Sequence, residues 1–313
     1  MIEEVVSLGL PVSENWVVKK NRLVPFNAGS DLSKFKRLSV VTGIHGDELE
    51  GQYICYELNR RIKSNPMALK GIVDIYPAMN PLGIDTIQRG IPLFDLDMNR
   101  VFPGNDRGAV AEWVASQIIE DLKGSDITID IHASNIFLRE IPQVRIAENS
   151  AEVLIPWAKL LDVDFIWVHQ AVTVLESTLA YSLNSIGVKT LVVEAGVGMR
   201  ITQPYGLKLV NGILNLMKEM GIWTGEVQPV GEPIVSVDRN VNFINASSAG
   251  VFIPKSRHSA QVVKGEVIGL IVDPLTGYDK DLCVSPVNGL LFTLREYPIV
   301  NEGSLIARIL EER

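Results

Sequence analysis

Two cysteines, Cys55 and Cys283, are all that 313 residues contain. That is too few for a disulfide scaffold or a thiolate metal site. No apolar run approaches the ~20 residues needed to cross a bilayer, so the expectation is a protein with no membrane span. Basic charge is scarce as well: 37 acidic residues face 29 basic ones, giving a formal net charge of -8. Nucleic-acid binding, which needs a basic footprint, is therefore not expected. The first residues, Met1-Ile2-Glu3-Glu4, are acidic where a signal peptide would be basic, and the expected location is cytoplasmic. Only four histidines are present, so the position of each carries information. What remains is a soluble globular balance, 47% hydrophobic and 21% charged, with a length that predicts about two domains.

Short branched apolar runs alternate with helical periodicity. Residues 38–42, 72–76, 127–131, 165–168 and 190–193 read as strands; 49–62, 109–123, 149–161, 177–186 and 207–220 read as helices. In the first helix, Leu49, Tyr53, Ile54, Leu58 and Ile62 have amphipathic spacing, and Cys55 falls on the apolar face. Such alternation predicts crossover connections and an α/β fold with a mostly parallel sheet flanked by helices. Ligands of these sheets bind beyond the carboxyl ends of the strands.

From about Thr224 the texture changes to short β-prone pieces, with Gly231-Glu232-Pro233 as the linker candidate. The expected division is a catalytic domain over 1–225 and a small all-β domain over 226–313. Within the latter, VKGEVIGLI (263–271) returns as NEGSLIARI (301–309) at an offset of 38, and Gly250-Val251-Phe252 is echoed by Gly289-Leu290-Leu291 at 39. Two similar packed β units resembling the barrel-sandwich of lipoyl and biotinyl carriers are predicted. No carrier lysine in a tight turn accompanies them, so a lid or interaction module is expected.

The chemistry gathers at strand ends. His45 and Glu48 follow the first strand in Gly43-Ile44-His45-Gly46-Asp47-Glu48, three apart where a helix should begin, so both can lie on one face. His132 follows the strand 127–131 directly. Two imidazoles and a carboxylate form the ligand set of a catalytic zinc, with the fourth position left for water; one Zn2+ per chain is expected. Asp130 reads equally as a carboxylate orienting a ligand imidazole or as a loop cap. Glu194 closes the strand 190–193, and a buried carboxylate beside a metal-activated water is a suitable general base and later acid.

The stretch from Asn80 to Gly104 is Gly/Pro-rich and reads as a long functional loop. Arg89 within it is the candidate for steadying an oxyanion, and Asn99 with Arg100 for gripping a substrate carboxylate. Arg139, Arg145 and Arg200 each read alone as surface or ion-pair residues; one of them, taken as Arg145, is expected to face the substrate. His169 and His258 read as hydrogen-bonded or surface residues. Gly196-Val197-Gly198 lacks the third glycine of a dinucleotide loop.

The phrases His45-Gly46-Asp47-Glu48, Asp97-Met98-Asn99-Arg100, Asp130-Ile131-His132 and Val193-Glu194-Ala195-Gly196, with Arg89 between them, resemble the zinc carboxypeptidase-like superfamily. More closely, they resemble its succinylglutamate desuccinylase/aspartoacylase family. The resemblance covers roughly residues 38–200 and extends to the β-rich tail; Met98 stands where Leu is usual. It implies zinc at His45, Glu48 and His132, a catalytic role for Glu194, and carboxylate recognition by Asn99 and Arg100. It also implies hydrolysis of a small N-acyl amino acid to a carboxylate and an amine. A zinc-dependent amidohydrolase acting on a carboxylate-bearing amide is thus the expected function, with homo-oligomerisation left open. Two alternatives stand beside it: a metallocarboxypeptidase acting on small peptides, and a non-catalytic ligand-binding protein on the same fold.

Overall fold

The computed structural model describes residues 1–170, 176–237 and 240–312. All five expected strands and all five expected helices are present. The strands are β3 (Arg37–Thr42), β4 (Ile72–Tyr76), β5 (Ile127–Ser134), β7 (Phe165–His169) and β8 (Lys189–Val197). The helices are α1 (Glu50–Ser64), α3 (Val110–Leu122), α4 (Ala151–Ala158), α5 (Leu179–Ser185) and α6 (Gln203–Glu219). The central strands β4-β3-β5-β8 run parallel. One apolar core joins Val40, Ile129 and Leu191 to Ile54, Leu58 and Ile213; a second joins Val41 and Tyr76 to Val114, Ile118 and Leu183. Helices therefore cover both faces, which explains why the strands read as near-continuous apolar runs. No helix among the described residues is long and apolar enough to cross a membrane.

Other elements escape the sequence reading. An antiparallel hairpin, β1 (Ile2–Gly9) and β2 (Asn15–Leu23), extends one edge. Helix α2 (Pro81–Thr86) interrupts the expected loop, capped where Gly83 N donates to Asn80 Oδ1 at 3.0 Å. Strand β6 (Leu138–Ala147) lies antiparallel to β8; Pro142 and the charges Arg139, Glu140 and Arg145 break its apolar pattern. The sheet is accordingly mixed, with its parallel part at the centre.

The tail contains β9 (Ile234–Val237), β10 (Val241–Asn245), β11 (Gly250–Pro254), β12 (Gln261–Val262), β13 (Val267–Val272), β14 (Asp279–Val284), β15 (Gly289–Arg295), β16 (Ile299–Val300) and β17 (Leu305–Glu311). The internal repeat is a repeat of structure. Phe252 pairs with Ile271 across β11 and β13, and their counterparts Leu291 and Ile309 pair across β15 and β17. All four side chains share one buried core. The matching turns hold Gly265 at φ 85° and Gly303 at φ 81°, a left-handed conformation that glycine adopts without strain.

The two units differ in what they join. β11, β13, β14 and β16 form their own antiparallel sheet, whereas β15 and β17 extend the catalytic sheet through β6. β9, just past the Gly231–Pro233 linker candidate, also pairs with β7 of the catalytic sheet.

Candidate active site

Alternation along β5 sends Ile127, Ile129 and Ile131 into the first core and leaves Thr128, Asp130 and His132 on the opposite face. Both strands that carry the chemistry run further than their apolar residues suggest. β5 continues to Ser134 and β8 to Val197, because their ladder persists past the polar positions: His132 is the direct cross-strand partner of Glu194. His132 and Glu194 thus sit within strands rather than after them.

His45 and Glu48 come together differently from the helical spacing expected. They lie in the turn between β3 and α1, closed by Glu48 N donating to the His45 carbonyl at 3.3 Å; α1 starts only at Glu50. Gly46 allows a second chain to seat on this turn. A Cβ there would fall 2.0 Å from the Gly83 carbonyl carbon, and Gly46 N donates to the Gln88 and Arg89 carbonyls. This close approach delivers Arg89.

The three donors converge and are buried. Glu48 lies between the imidazoles, with Oε1 2.7 Å from His45 Nδ1 and Oε2 2.9 Å from His132 Nδ1. The candidate ligand atoms all lie within 4.8 Å of one another. Each imidazole is backed at its far nitrogen by a carboxylate: Asp97 Oδ1 lies 3.0 Å from His45 Nε2, and Asp130 Oδ2 lies 3.2 Å from His132 Nε2. Carboxylates placed in this way hold metal-ligating imidazoles; Asp97 makes the hydrogen bond to His45, whereas Asp130 stands at ion-pair distance from His132 without a hydrogen bond among the described residues. Arg89 reaches in with one nitrogen 3.0 Å from Glu48 and another 3.3 Å from Asp97.

Charge balance tests whether a cation suits the site. Around the imidazoles, three paired carboxylates, Glu48, Asp97 and Asp130, face one guanidinium, Arg89, while a separate network of Glu140 and Glu194 with Arg145 and Arg308 balances itself. With neutral imidazoles, two negative charges are left over, which a divalent cation neutralises. Burial opposes charge on Glu48, yet His45 and His132 hold its carboxyl far below the usual range. Burial likewise opposes charge on His132, but Asp130 and Glu48 push its pKa well up. Both shifts express the same demand for positive charge, and the residues fit a divalent metal.

His45, Glu48, Arg89, Asp130 and His132 line a cavity of about 630 Å³ together with Asn99, Arg100, Arg145 and Glu194. Asn99 is buried; its Oδ1 accepts from Leu179 N at 2.9 Å. Arg100 is exposed and donates to the Asn99 carbonyl at 2.7 Å. Burial raises the pKa of Glu194, opposed by Arg145 and His132. Of the three arginines considered together, Arg145 lines the cavity, Arg139 pairs with Glu296, and Arg200 donates to the Met199 carbonyl. Cys55 is buried in the core, and burial pushes its thiol up to about 12.

Several residues in or beside the cavity went unassigned in the sequence. Asp97 stood in the Asn-Arg phrase without a role, and Tyr181, Asn184 and His169 line the wall. Glu140 lay hidden in the charges that disguised β6. Arg308 comes from β17 in the tail. A signal for it existed: its counterpart in the repeat is Leu270, so an arginine stands where the pattern calls for an apolar residue.

The model of the succinylglutamate desuccinylase/aspartoacylase catalytic domain matches residues 34–220. N-alpha-acetyl-L-2,4-diaminobutyric acid deacetylase of Halomonas elongata is 27% identical over 291 residues, covering 86% of this chain and 80% of the relative. The product-bound ectoine utilization protein of Ruegeria pomeroyi is similar in fold, with a TM-score of 0.82 at 18% identity, covering 99% of this chain and 95% of that one. A succinylglutamate desuccinylase/aspartoacylase structure from Rhodobacter sphaeroides gives 0.80 at 21% identity, covering 100% and 96%. The family match spans more than half of the chain and contains His45, Glu48, Arg89, Asn99, Arg100, His132 and Glu194. The chain belongs to the succinylglutamate desuccinylase/aspartoacylase family.

Proposed function

We propose that this protein is a zinc-dependent amidohydrolase, with one Zn2+ per chain, that cleaves the acyl–nitrogen bond of a small N-acyl amino acid. The observation that carries the reading is the meeting, in one cavity, of His45, Glu48 and His132 with Glu194, the cross-strand neighbour of His132. His45, Glu48 and His132 would hold the metal. When bound, zinc lowers the pKa of a water and polarises a carbonyl.

The chain's own groups supply the rest. Glu194 accepts the proton of the attacking water and returns it to the departing nitrogen; burial favours its proton-bearing form, which suits this exchange. Arg89, at the cavity wall, steadies the oxyanion that develops on the substrate. Arg100 and the amide of Asn99 bind the substrate carboxylate, and Arg145 is the further residue facing the substrate. Residues 1–225 carry this machinery as the catalytic domain; residues 226–313 form the β-rich domain beside it.

The relative from Halomonas elongata and the family name supply the assay panel: N-acetyl-2,4-diaminobutyrate, N-succinylglutamate and N-acyl aspartate, beside simple dipeptides. Zinc-reconstituted protein should release amine from at least one acyl amino acid and turn over dipeptides far more slowly. Faster cleavage of dipeptides would establish a carboxypeptidase instead. Binding without turnover by protein carrying one zinc per chain would establish a non-catalytic binding protein.

A further inference from the structure

A chain of charges, buried at Glu140 and half-buried at its other members, runs from Glu194 across the sheet into the tail. Arg145 NH1 lies 3.1 Å from Glu194 Oε1, and its NH2 lies 3.3 Å from Glu140 Oε1. Glu140 has no exposed surface. Besides Arg145 it accepts from Gln143 Nε2 at 2.7 Å, from Thr293 Oγ1 at 2.7 Å and from Arg308 NH1 at 2.7 Å. Thr293 belongs to β15 and Arg308 to β17, so two of these four partners come from the tail. Both guanidiniums pack over the same indole, that of Trp167, at 5.5 and 5.6 Å from the ring centroid.

Such an arrangement does more than join two parts of a fold. A buried carboxylate between two guanidiniums can release neither without stranding a charge. If Arg308 were absent, Glu140 would draw on Arg145 alone, in direct competition with Glu194. The repeat makes the same point independently. The outer β unit has Leu270 where the inner unit, which faces the catalytic sheet, has Arg308. At this position of the strand the inner unit replaces an apolar residue by a charge, and that charge is the residue that completes the chain.

We propose that Glu140 and Arg308 are positioning residues, which fix Arg145 and through it the carboxylate of Glu194, so that the seating of the tail sets the geometry of the proton-carrying group. The proposal rests on the reading of Glu194 as that group. Neither residue belongs to the clamp of Asn99 and Arg100; because Arg145 itself faces the substrate, KM should shift, but by less than kcat. Misplacement of a reacting group by about 1 Å can lower rate by ~10²-fold.

The test is a double-mutant cycle on the full-length, zinc-loaded protein, with kcat per bound zinc, KM and crystal structures as readouts. Arg308→Gln should lower kcat roughly 10- to 100-fold, with a smaller rise in KM because Arg145 also faces the substrate, and its Arg145 guanidinium should leave hydrogen-bond reach of Glu194. Glu140→Gln combined with Arg308→Gln removes the competing charge together with its partner. Most of kcat should return, and so should the contact from Arg145 to Glu194. Arg308→Lys, which keeps the charge and loses the planar stack on Trp167, should fall between. Unchanged kcat in Arg308→Gln and Arg308→Lys would overturn the proposal, as would an Arg145–Glu194 contact that persists in both structures. So would a double variant that regains thermal stability while its kcat per zinc stays low. If Glu194→Gln is itself fully active, the parent reading fails; the structural readout still decides whether Arg308 fixes Arg145.

Discussion

Two buried clusters of charge sit on the same sheet, and they are built to different ends. On β2 and β4, Asp74 has no exposed surface; it receives Arg22 at 2.9 and 2.7 Å, with Lys20 and Arg37 each 3.7 Å away. Asp121 takes Lys20 at 2.6 Å and the Tyr76 hydroxyl at 2.6 Å, while Glu3 lies 3.5 Å from Lys20 and 3.4 Å from Arg22. Three carboxylates meet three fixed cations, and nothing is left to bind. At the ends of β3, β5 and β8, carboxylates outnumber guanidiniums and imidazoles stand where fixed cations would close the balance. Burial alone does not distinguish a functional cluster from a structural one; the uncompensated charge does.

The sharpest separation of the two comes from His132→Ala. Bound zinc should fall from about one per chain to near zero and turnover should be abolished, as read by elemental analysis and assay. Glu194→Gln comes next. It keeps the shape of the side chain but cannot accept a proton, so kcat should fall by about 10²–10⁴ with zinc content unchanged. Asp74→Ala strikes the closed cluster instead. Stranding its cations should cost about 3–5 kcal/mol in denaturant unfolding, with zinc content of the folded fraction intact. Loss of zinc in Asp74→Ala, or retention in His132→Ala, would erase the distinction between the clusters.

Arg100→Ala acts at the margin of the open cluster. A charge-assisted hydrogen bond is worth about 1.5–3 kcal/mol, so KM for a carboxylate substrate should rise roughly 10- to 100-fold with kcat little changed. A neutral amide analogue should show no such rise.

The smallest effect concerns a histidine outside both clusters. His258 Nε2 donates to the Phe292 carbonyl at 3.1 Å, and its Nδ1 lies 3.3 Å from the Tyr205 hydroxyl, which donates to it. Burial lowers its pKa, aided by Arg139; the Phe292 carbonyl, Glu140 and Glu296 oppose. The folded state therefore binds this proton less readily than the unfolded chain. Stability should be full above about pH 6.5 and decline as the pH falls below it. In His258→Gln, the decline in melting temperature between pH 7 and pH 5 should be shallower.

What could be read from the sequence was whatever apolar periodicity announces: the parallel strands, their helices and the two matched β units. The site was legible where chemistry sits at the ends of those strands, as with His45, His132 and Glu194. β6 was hidden because Pro142, Arg139, Glu140 and Arg145 break its pattern, and those same charges tie the tail to the site. Partnerships across long separations were invisible for a further reason. Thr293 is 153 residues from Glu140 and Arg308 is 168 residues from it, and no local spacing encodes such pairs. Arg308 could have been found only by asking where the repeat departs from itself.

The ladder between β6 and β15 has a consequence for the life of the chain before it is an enzyme. During synthesis, the segment around Glu140 emerges long before its partners on β15 and β17 exist. Until β15 and β17 leave the ribosome, one edge of β6 lacks these partners and Glu140 lacks both Thr293 and Arg308. Pairings of such high sequence separation form late, because loop closure comes before the contacts that reward it. Completion of the candidate site is thereby deferred until β17 has been made, so a chain terminated before β17 would carry His45, Glu48, His132 and Glu194 without the contacts that Thr293 and Arg308 make to Glu140.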